Sequence, residues 1–208
     1  MRPDSNDIKE AYISIYKTLE TIAGNLETQL GDQLSGTPHI DRVTCRVKGI
    51  DSFMTKAEKV NPDGSLKYAV PMKEIQDMIG ARIIVYYKTD VPAVREFVKS
   101  LYRTAESTTI VPDDVTKFGY EGFHMICFIP NNIFSTRDTP LVSNFFELQI
   151  KTLQQHAWSQ AEHGLGYKPG VVLTLEQQRL LAFLAAQSWA ADKALAELVT
   201  GQVAGEEG

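Results

Sequence analysis

Phosphate chemistry needs cations to neutralise charge and carboxylates to hold a metal, and this chain carries both at suggestive spacings. Arg46, Lys48, Ser52 and Lys56 form a first group: two cations share one side of an alternating stretch, and a hydroxyl and an ammonium follow four residues apart, as neighbours on a short helix. Three positive charges with nearby backbone donors suit a triphosphate. The competing reading is a solvated charged edge. A second group pairs Asp77 with Arg82, whose guanidinium interrupts an apolar strand and must therefore meet an acid or an anion, with Asp77 the nearest candidate.

Gly119, Tyr120 and His124 make a third group, KFGYEGFH, in which flanking glycines let an aromatic ring stand clear of its own backbone as a stacking platform. A core tyrosine is the alternative. The fourth group lies in FFELQIKTLQQHAWSQAEHGLGYK, residues 145 to 168, where the hydrophobic period changes from two to helical spacing. Glu147, Gln149 and Lys151 project from one side of the strand, and His156, Glu162, His163, Tyr167 and Lys168 follow on the helix. Asp77 and Glu147 come from different strand-adjacent positions. Together they suit one Mg²⁺, which takes one or two protein carboxylates and completes its shell with substrate phosphate oxygens. His156 and His163 are seven apart and neither cysteine has a close partner, so a zinc centre is disfavoured. Neither a GxxxxGK[ST] loop nor a GxSxG elbow occurs.

The elements that must position these groups follow from periodicity. Ile8, Tyr12, Ile15, Leu19, Ile22 and Leu26 predict a long amphipathic helix over residues 5 to 31, ended by Gly31. Val43, Cys45 and Val47 alternate with Arg42, Thr44 and Arg46 in a strand from Arg42 to Lys48, and a short helix is expected from Asp51 to Val60. NPDG at 61–64 marks a turn. Further on come a short helix from Met72 to Ile79 closed by Gly80, a strand from Ala81 to Tyr87, and a helix capped by Asp90 with Val94, Phe97, Val98 and Leu101 inward. Strands near 107–111, 123–129 and 145–151 follow. Thr174 and Gln177 form a capping box that opens a helix over residues 174 to 200. The sequence thus predicts an α+β fold, one mixed sheet of about five strands flanked by helices, in one domain spanning residues 1–208 with its core at 40–170.

Bulk properties narrow the function. A net charge of −5 argues against a domain that coats nucleic acid by bulk attraction, although the segment from Arg42 to Lys59 is locally cationic. No apolar run approaches the length of a membrane span, no secretory signal opens the chain, and Cys45 and Cys127 read as core thiols, so a cytoplasmic, non-membrane protein is expected. Leu180, Leu181, Phe183, Leu184 and Trp189 give the last helix more apolar surface than one stripe requires, a candidate partner or homo-oligomer surface unless it packs on the domain's own core.

In order along the chain, Arg46-x-Lys48, Ser52, Lys56, then Asp77-Met-Ile-Gly-Ala-Arg82, Gly119-Tyr120 with His124, Glu147-x-Gln149-Ile-Lys-Thr152, and Glu162-His163 with Tyr167-Lys168 resemble the RelA/SpoT-type synthetase domain over residues 40 to 170. The resemblance implies a nucleotidyltransferase-like fold and a pyrophosphokinase that moves the β,γ-pyrophosphate of ATP to the 3′-hydroxyl of a purine nucleotide, as in (p)ppGpp or adenine-alarmone synthesis. Carried over by resemblance, Arg46 and Arg82 sandwich the ATP adenine, and Lys48, Ser52 and Lys56 hold its phosphates. Asp77 and Glu147 bind Mg²⁺, with Glu147 also drawing the proton from the attacking hydroxyl. Tyr120 stacks on the acceptor base, and His124, Gln149 and His163 support the acceptor and metal.

The chain departs from the family's usual Gly-Tyr-Arg-Ser-x-His, with Glu121 and Gly122 at the Arg and Ser positions. The length of the chain points to a small single-domain synthetase, and the negative charge at Glu121, where a phosphate-bearing GDP or GTP would be handled, opens a second reading. On this alternative the resemblance implies a toxin of a toxin-antitoxin pair that pyrophosphorylates the 3′-CCA end of tRNA and blocks translation. A third reading is a non-catalytic nucleotide- or partner-binding module. Retention of both candidate metal carboxylates argues against it.

Overall fold

The computed structural model describes residues 4–114, 117–119, 121–134, 142–166 and 173–206. The chain opens with α1 (Ser5–Leu34), whose first turn is capped by the Asp4 carboxylate accepting from the backbone N–H groups of Asn6 and Asp7. Gly31 does not end this helix as the sequence predicts. Leu30 and Leu34, four apart, are both buried, and that packing carries the helix another turn, with the chain turning away through Gly36 at φ +84°.

Five strands follow: β1 (Ile40–Val47), β2 (Ile79–Val85), β3 (Thr104–Ile110), β4 (Gly122–Phe128) and β5 (Phe145–Thr152). They form one mixed sheet in the order β1-β2-β5-β4-β3, with β2 and β5 parallel and every other pair antiparallel. The α+β architecture expected from the pattern is the one observed. Alternation decides the two faces. Ala81, Ile83 and Val85, Phe146, Leu148 and Ile150, and Phe123, Met125 and Cys127 turn into a single core with the buried stripe of α1. Arg46, Arg82, His124, Glu147 and Gln149 turn the other way.

Between the strands lie α2 (Ile50–Ala57), α3 (Pro71–Glu74) and α4 (Val91–Leu101), and after β5 come α5 (Leu153–Gly166) and α6 (Leu175–Glu206). The helix expected from Met72 to Ile79 is a single turn, because Ile75 is already extended and Ile79 and Gly80 join β2. On α4, Val94 and Val98 are buried, but Phe97 and Leu101 are not, so the helix buries a narrower stripe than predicted. The Asp90 side chain makes no cap bond and instead lies 3.3 Å from His39 Nδ1. Thr174 and Gln177 form the expected capping box at the start of α6: the Thr174 N–H donates to Gln177 Oε1 at 2.9 Å and the Gln177 N–H to Thr174 Oγ1 at 3.2 Å. Both cysteines are free, Cys127 buried and Cys45 partly so.

The turn from β1 into α2 is braced from below. Tyr12 of α1 donates its hydroxyl to the Lys48 carbonyl at 2.7 Å and stacks face to face on Phe53 of α2, the rings 3.8 Å apart. The Lys48 N–H is tied to the Met78 carbonyl at 2.8 Å. Two segments remote in sequence, 46–56 and 77–82, are thereby brought side by side.

Candidate active site

Register builds the site as two neighbouring rows across the sheet. Arg46, Gly80 and Glu147 are cross-strand partners on β1, β2 and β5; one step along, Arg82, Gln149 and His124 are partners on β2, β5 and β4. Gly80 contributes no side chain, and a Cβ built there meets nothing within 4 Å, so the floor between Arg46 and Glu147 is open. The result is a cleft of about 180 Å³ lined by Arg46, Lys48, Ser52 and Asp77 on one side and by Arg82, Glu147, Gln149 and His163 on the other.

Asp77 is the electrostatic hub of the first side. Its Oδ2 accepts from Lys56 Nζ at 2.8 Å and from Lys48 Nζ at 3.0 Å, while its Oδ1 is buried with no hydrogen-bond partner. A buried carboxylate oxygen without a donor is costly, and a cation bound there removes the cost. The chemistry of the donor set therefore fits Mg²⁺: an open carboxylate oxygen, a second carboxylate at Glu147 on the same cleft, and room for phosphate oxygens. Among the described residues no group of three or more His, Cys, Asp or Glu is arranged to hold a metal by protein ligands alone, and a Mg²⁺ held by two carboxylates takes water and phosphate oxygens for the rest of its shell.

Glu147 is held at both oxygens. His124 Nδ1 lies 2.9 Å from Oε1, and Gln149 Nε2 donates to Oε2 at 2.8 Å. Burial pushes the Glu147 carboxyl up, but the hydrogen bond and charge of His124, the Gln149 amide and the charge of Lys56 together outweigh it and hold the group below its ordinary range. An ionised, oriented carboxylate at a strand centre suits a metal ligand or a proton acceptor.

Arg82 does not use Asp77 in the way its position suggests. Its Nε donates to Gln149 Oε1 at 3.3 Å and its Nη1 to Gln160 Oε1 at 3.2 Å, so two amides from β5 and α5 hold the guanidinium in place. Gln160 is a site residue that the sequence reading missed. It stands on the helical face of α5 turned toward Arg82, a direction that only the docking of α5 defines. Lys151 is the other surprise, for the polar row of β5 is not solvated to its end. The side chain is 3% exposed beneath α5, with Nζ 3.4 Å from Ser159 Oγ. Burial, joined by the charges of Arg82 and Arg46 and opposed by Glu147 and Glu162, lowers its pKa to about 8.

Of the residues singled out from sequence, the fold brings Arg46, Lys48, Ser52, Asp77, Arg82, Glu147, Gln149 and His163 to one cleft, with Lys56 and His124 bonded to its two carboxylates. Tyr120, Tyr167 and Lys168 lie outside the described residues. His156 is half-buried on α5 with Nδ1 unpartnered, and burial lowers its pKa.

Comparison with known proteins places the chain in a family. Residues 45–171, more than half of the chain, match the family described as the region found in RelA / SpoT proteins. The GTP pyrophosphokinase YjbM of Bacillus subtilis is 30% identical over 136 residues, an alignment that spans 62% of this chain and 57% of that protein's length. In fold, the chain resembles small alarmone synthetase 1 from Bacillus subtilis, with a TM-score of 0.73 at 21% identity over 92% of this chain and 97% of the other. The same synthetase bound to AMPCPP superposes with a TM-score of 0.69 at 20% identity, covering 93% of this chain and 98% of the other. The matched span takes in all five strands except the first part of β1, and with it both carboxylates of the cleft: this chain belongs to the RelA/SpoT family.

Proposed function

We propose that the protein is an ATP-dependent pyrophosphokinase that transfers the β,γ-pyrophosphate of ATP to the 3′-hydroxyl of a purine nucleotide. The observation that carries this reading is the pairing of Asp77 and Glu147 on one cleft, with the buried Oδ1 of Asp77 lacking a donor, Lys48 and Lys56 bonded to its Oδ2, and Arg46 and Arg82 lining the same cleft. Arg46 and Arg82 would flank the adenine, and Lys48, Ser52 and Lys56, at the start of α2, would hold the phosphates. Binding of AMPCPP by the relative of the same fold supports ATP as donor.

In the reaction the acceptor 3′-oxygen forms a bond to the β-phosphorus as the bridging α,β bond breaks, releasing AMP, and the hydroxyl proton passes to Glu147. Mg²⁺, when held by Asp77 and Glu147, would neutralise charge on the transferring phosphates. His124 and Gln149 keep the Glu147 carboxylate ionised and aimed, and Lys48 and Lys56 exchange Asp77 for phosphate oxygens as substrate enters. His163 and Tyr120 would complete the acceptor side.

The test is direct: purified protein is incubated with γ-labelled ATP, Mg²⁺ and, separately, GDP, GTP, AMP, ADP and deacylated tRNA. Label in a free purine nucleotide is the expected result. Label in none of them overturns the reading in favour of a non-catalytic nucleotide- or partner-binding module.

One observation favours tRNA as an alternative acceptor. Glu121, at the position where the family usually has Arg, is bonded to Lys88 at 2.8 Å, so this position offers no cation to an acceptor's 5′-phosphates, which the terminal adenosine of tRNA lacks. On this second reading the protein is a toxin and an antitoxin protein is its partner. Labelling of tRNA would then fall steeply with added salt, while labelling of GDP would change little.

A further inference from the structure

One face of α6 packs on α5 and on the segment before β4 in a way the site does not by itself explain, with Ala185 and Asp192 buried and Trp189 at its rim. Ala185, Ser188, Trp189 and Asp192 recur at helical spacing and close a small cavity of about 20 Å³ against Gln155 and Trp158 of α5 and Gly119 and Glu121 of the segment that leads into β4. Asp192 is 2% exposed, and its Oδ2 accepts the Thr152 hydroxyl proton at 2.8 Å. Thr152 is the joint between β5 and α5: its Oγ1 accepts from the Gln155 N–H at 3.0 Å and its own N–H donates to Gln155 Oε1 at 3.1 Å, a capping box. One carboxylate of the last helix therefore grips the hinge of the strand that carries Glu147 and Gln149.

The same face grips the segment before β4. Phe118 meets Trp189 at a ring-to-ring distance of 5.7 Å and 63°, with Lys193 Nζ 5.4 Å from the Trp189 ring on its own helix. Glu121 is tied to Lys88 at 2.8 Å, and it lines the same cavity as Asp192 and Trp189. Trp158 fixes the spacing of the two helices by donating its indole N–H to the Leu181 carbonyl at 3.2 Å. The segment so held runs directly into His124. The donor residues Arg46, Lys48, Ser52 and Lys56 lie on β1 and α2, beyond β2 and β5 from it.

We infer that α6 is a clamp for the acceptor side of the cleft, with Trp189 and Asp192 as positioning residues that hold Phe118, Gly119 and Glu121 and the Thr152 joint. This rests on the reading of that segment as the acceptor side. Trp189→Ala should raise the acceptor KM roughly three- to tenfold, the range expected for losing one aromatic pair, and leave the ATP KM within about twofold. Phe118→Ala removes the same contact from the loop, and because Phe118 is 44% exposed its truncation spares the core. It should reproduce the effect, and the double variant should be no worse than either single one. Asp192→Ala should lower kcat, and Asp192→Asn, which keeps an acceptor for the Thr152 hydroxyl, should restore most of it.

Equal changes in both KM values, additive effects of Trp189→Ala and Phe118→Ala, or no change in any variant would overturn the clamp. Amide hydrogen exchange over residues 117–122 reads it without catalysis. Faster exchange in Trp189→Ala and Phe118→Ala than in wild type supports the clamp, and unchanged exchange overturns it. Wild type that labels no acceptor overturns the functional reading instead, and the exchange comparison then decides the clamp alone.

Discussion

At the residue scale, the cleft is governed by how each charge is compensated. Asp77 shares one oxygen between two lysines and leaves the other without a donor. Asp77→Asn keeps the shape and removes the charge. If the open oxygen is a metal site, labelling activity should fall by about 100-fold or more while the far-ultraviolet circular dichroism spectrum stays that of wild type. Activity within a few-fold of wild type would remove Asp77 from the metal site. Lys151 offers a test through pH. Its pKa drops on folding from 10.5 to about 8, so between those values the folded state binds fewer protons than the unfolded one, and stability rises with pH across that window. Below about pH 8 the full penalty applies. Lys151→Met should therefore be more stable than wild type at pH 7 in urea unfolding, with the advantage shrinking as pH approaches 10. A gain that is absent at pH 7, or constant up to pH 10, contradicts this account of the buried ammonium.

At the scale of elements, β2 shows how a strand serves both core and site. Ala81, Ile83 and Val85 face α1, and Gly80 and Arg82 face the cleft. Gly80→Val suits a strand backbone and its Cβ meets no neighbour within 4 Å, so it should leave thermal stability equal to or above that of wild type. Its side chain would stand between Arg46 and Glu147 and abolish labelling. Loss of folding, or survival of activity, would contradict the row geometry. The docking of α5 sets Arg82 through Gln160, and Gln160→Ala should raise the ATP KM a few-fold, the cost of about 1 kcal/mol for one lost hydrogen bond, measured against an unchanged melting temperature.

At the scale of the whole molecule, a ligand that binds the folded state alone must stabilise it. A non-hydrolysable ATP analogue with Mg²⁺ at about 100 times its Kd adds roughly 2.7 kcal/mol, equivalent to a rise of roughly 5 to 10 °C in Tm for a protein of this size. Chelating the metal should remove much of that rise if Asp77 and Glu147 hold it between them, and a shift insensitive to chelation would argue for phosphate contacts alone. Exposed Leu180, Phe183 and Leu198 leave the outer side of α6 apolar, opposite the face that closes on Trp158, Gly119 and Glu121. No described helix is long and apolar enough to cross a membrane.

Much of this was legible in the chain because alternation is local. Arg46 against Val47, Arg82 against Ile83 and Glu147 against Leu148 assign face by the two-residue period alone, and five ordered blocks then carried the resemblance to the RelA/SpoT synthetases. Local reading erred where packing outweighed propensity: Gly31 stays helical because Leu34 is buried, and Phe97 remains exposed because α4 needs only Val94 and Val98 inward. The sequence by itself determined which strand residues turn away from the core and that the last strand runs directly into a helix. Only the tertiary structure decided that Asp77 answers to Lys48 and Lys56, that Arg82 rests on Gln149 and Gln160, and that Asp192 reaches Thr152 across 40 residues. The physical reason is that these partners are chosen by strand order and helix docking, which depend on burying one shared core rather than on any spacing within a segment.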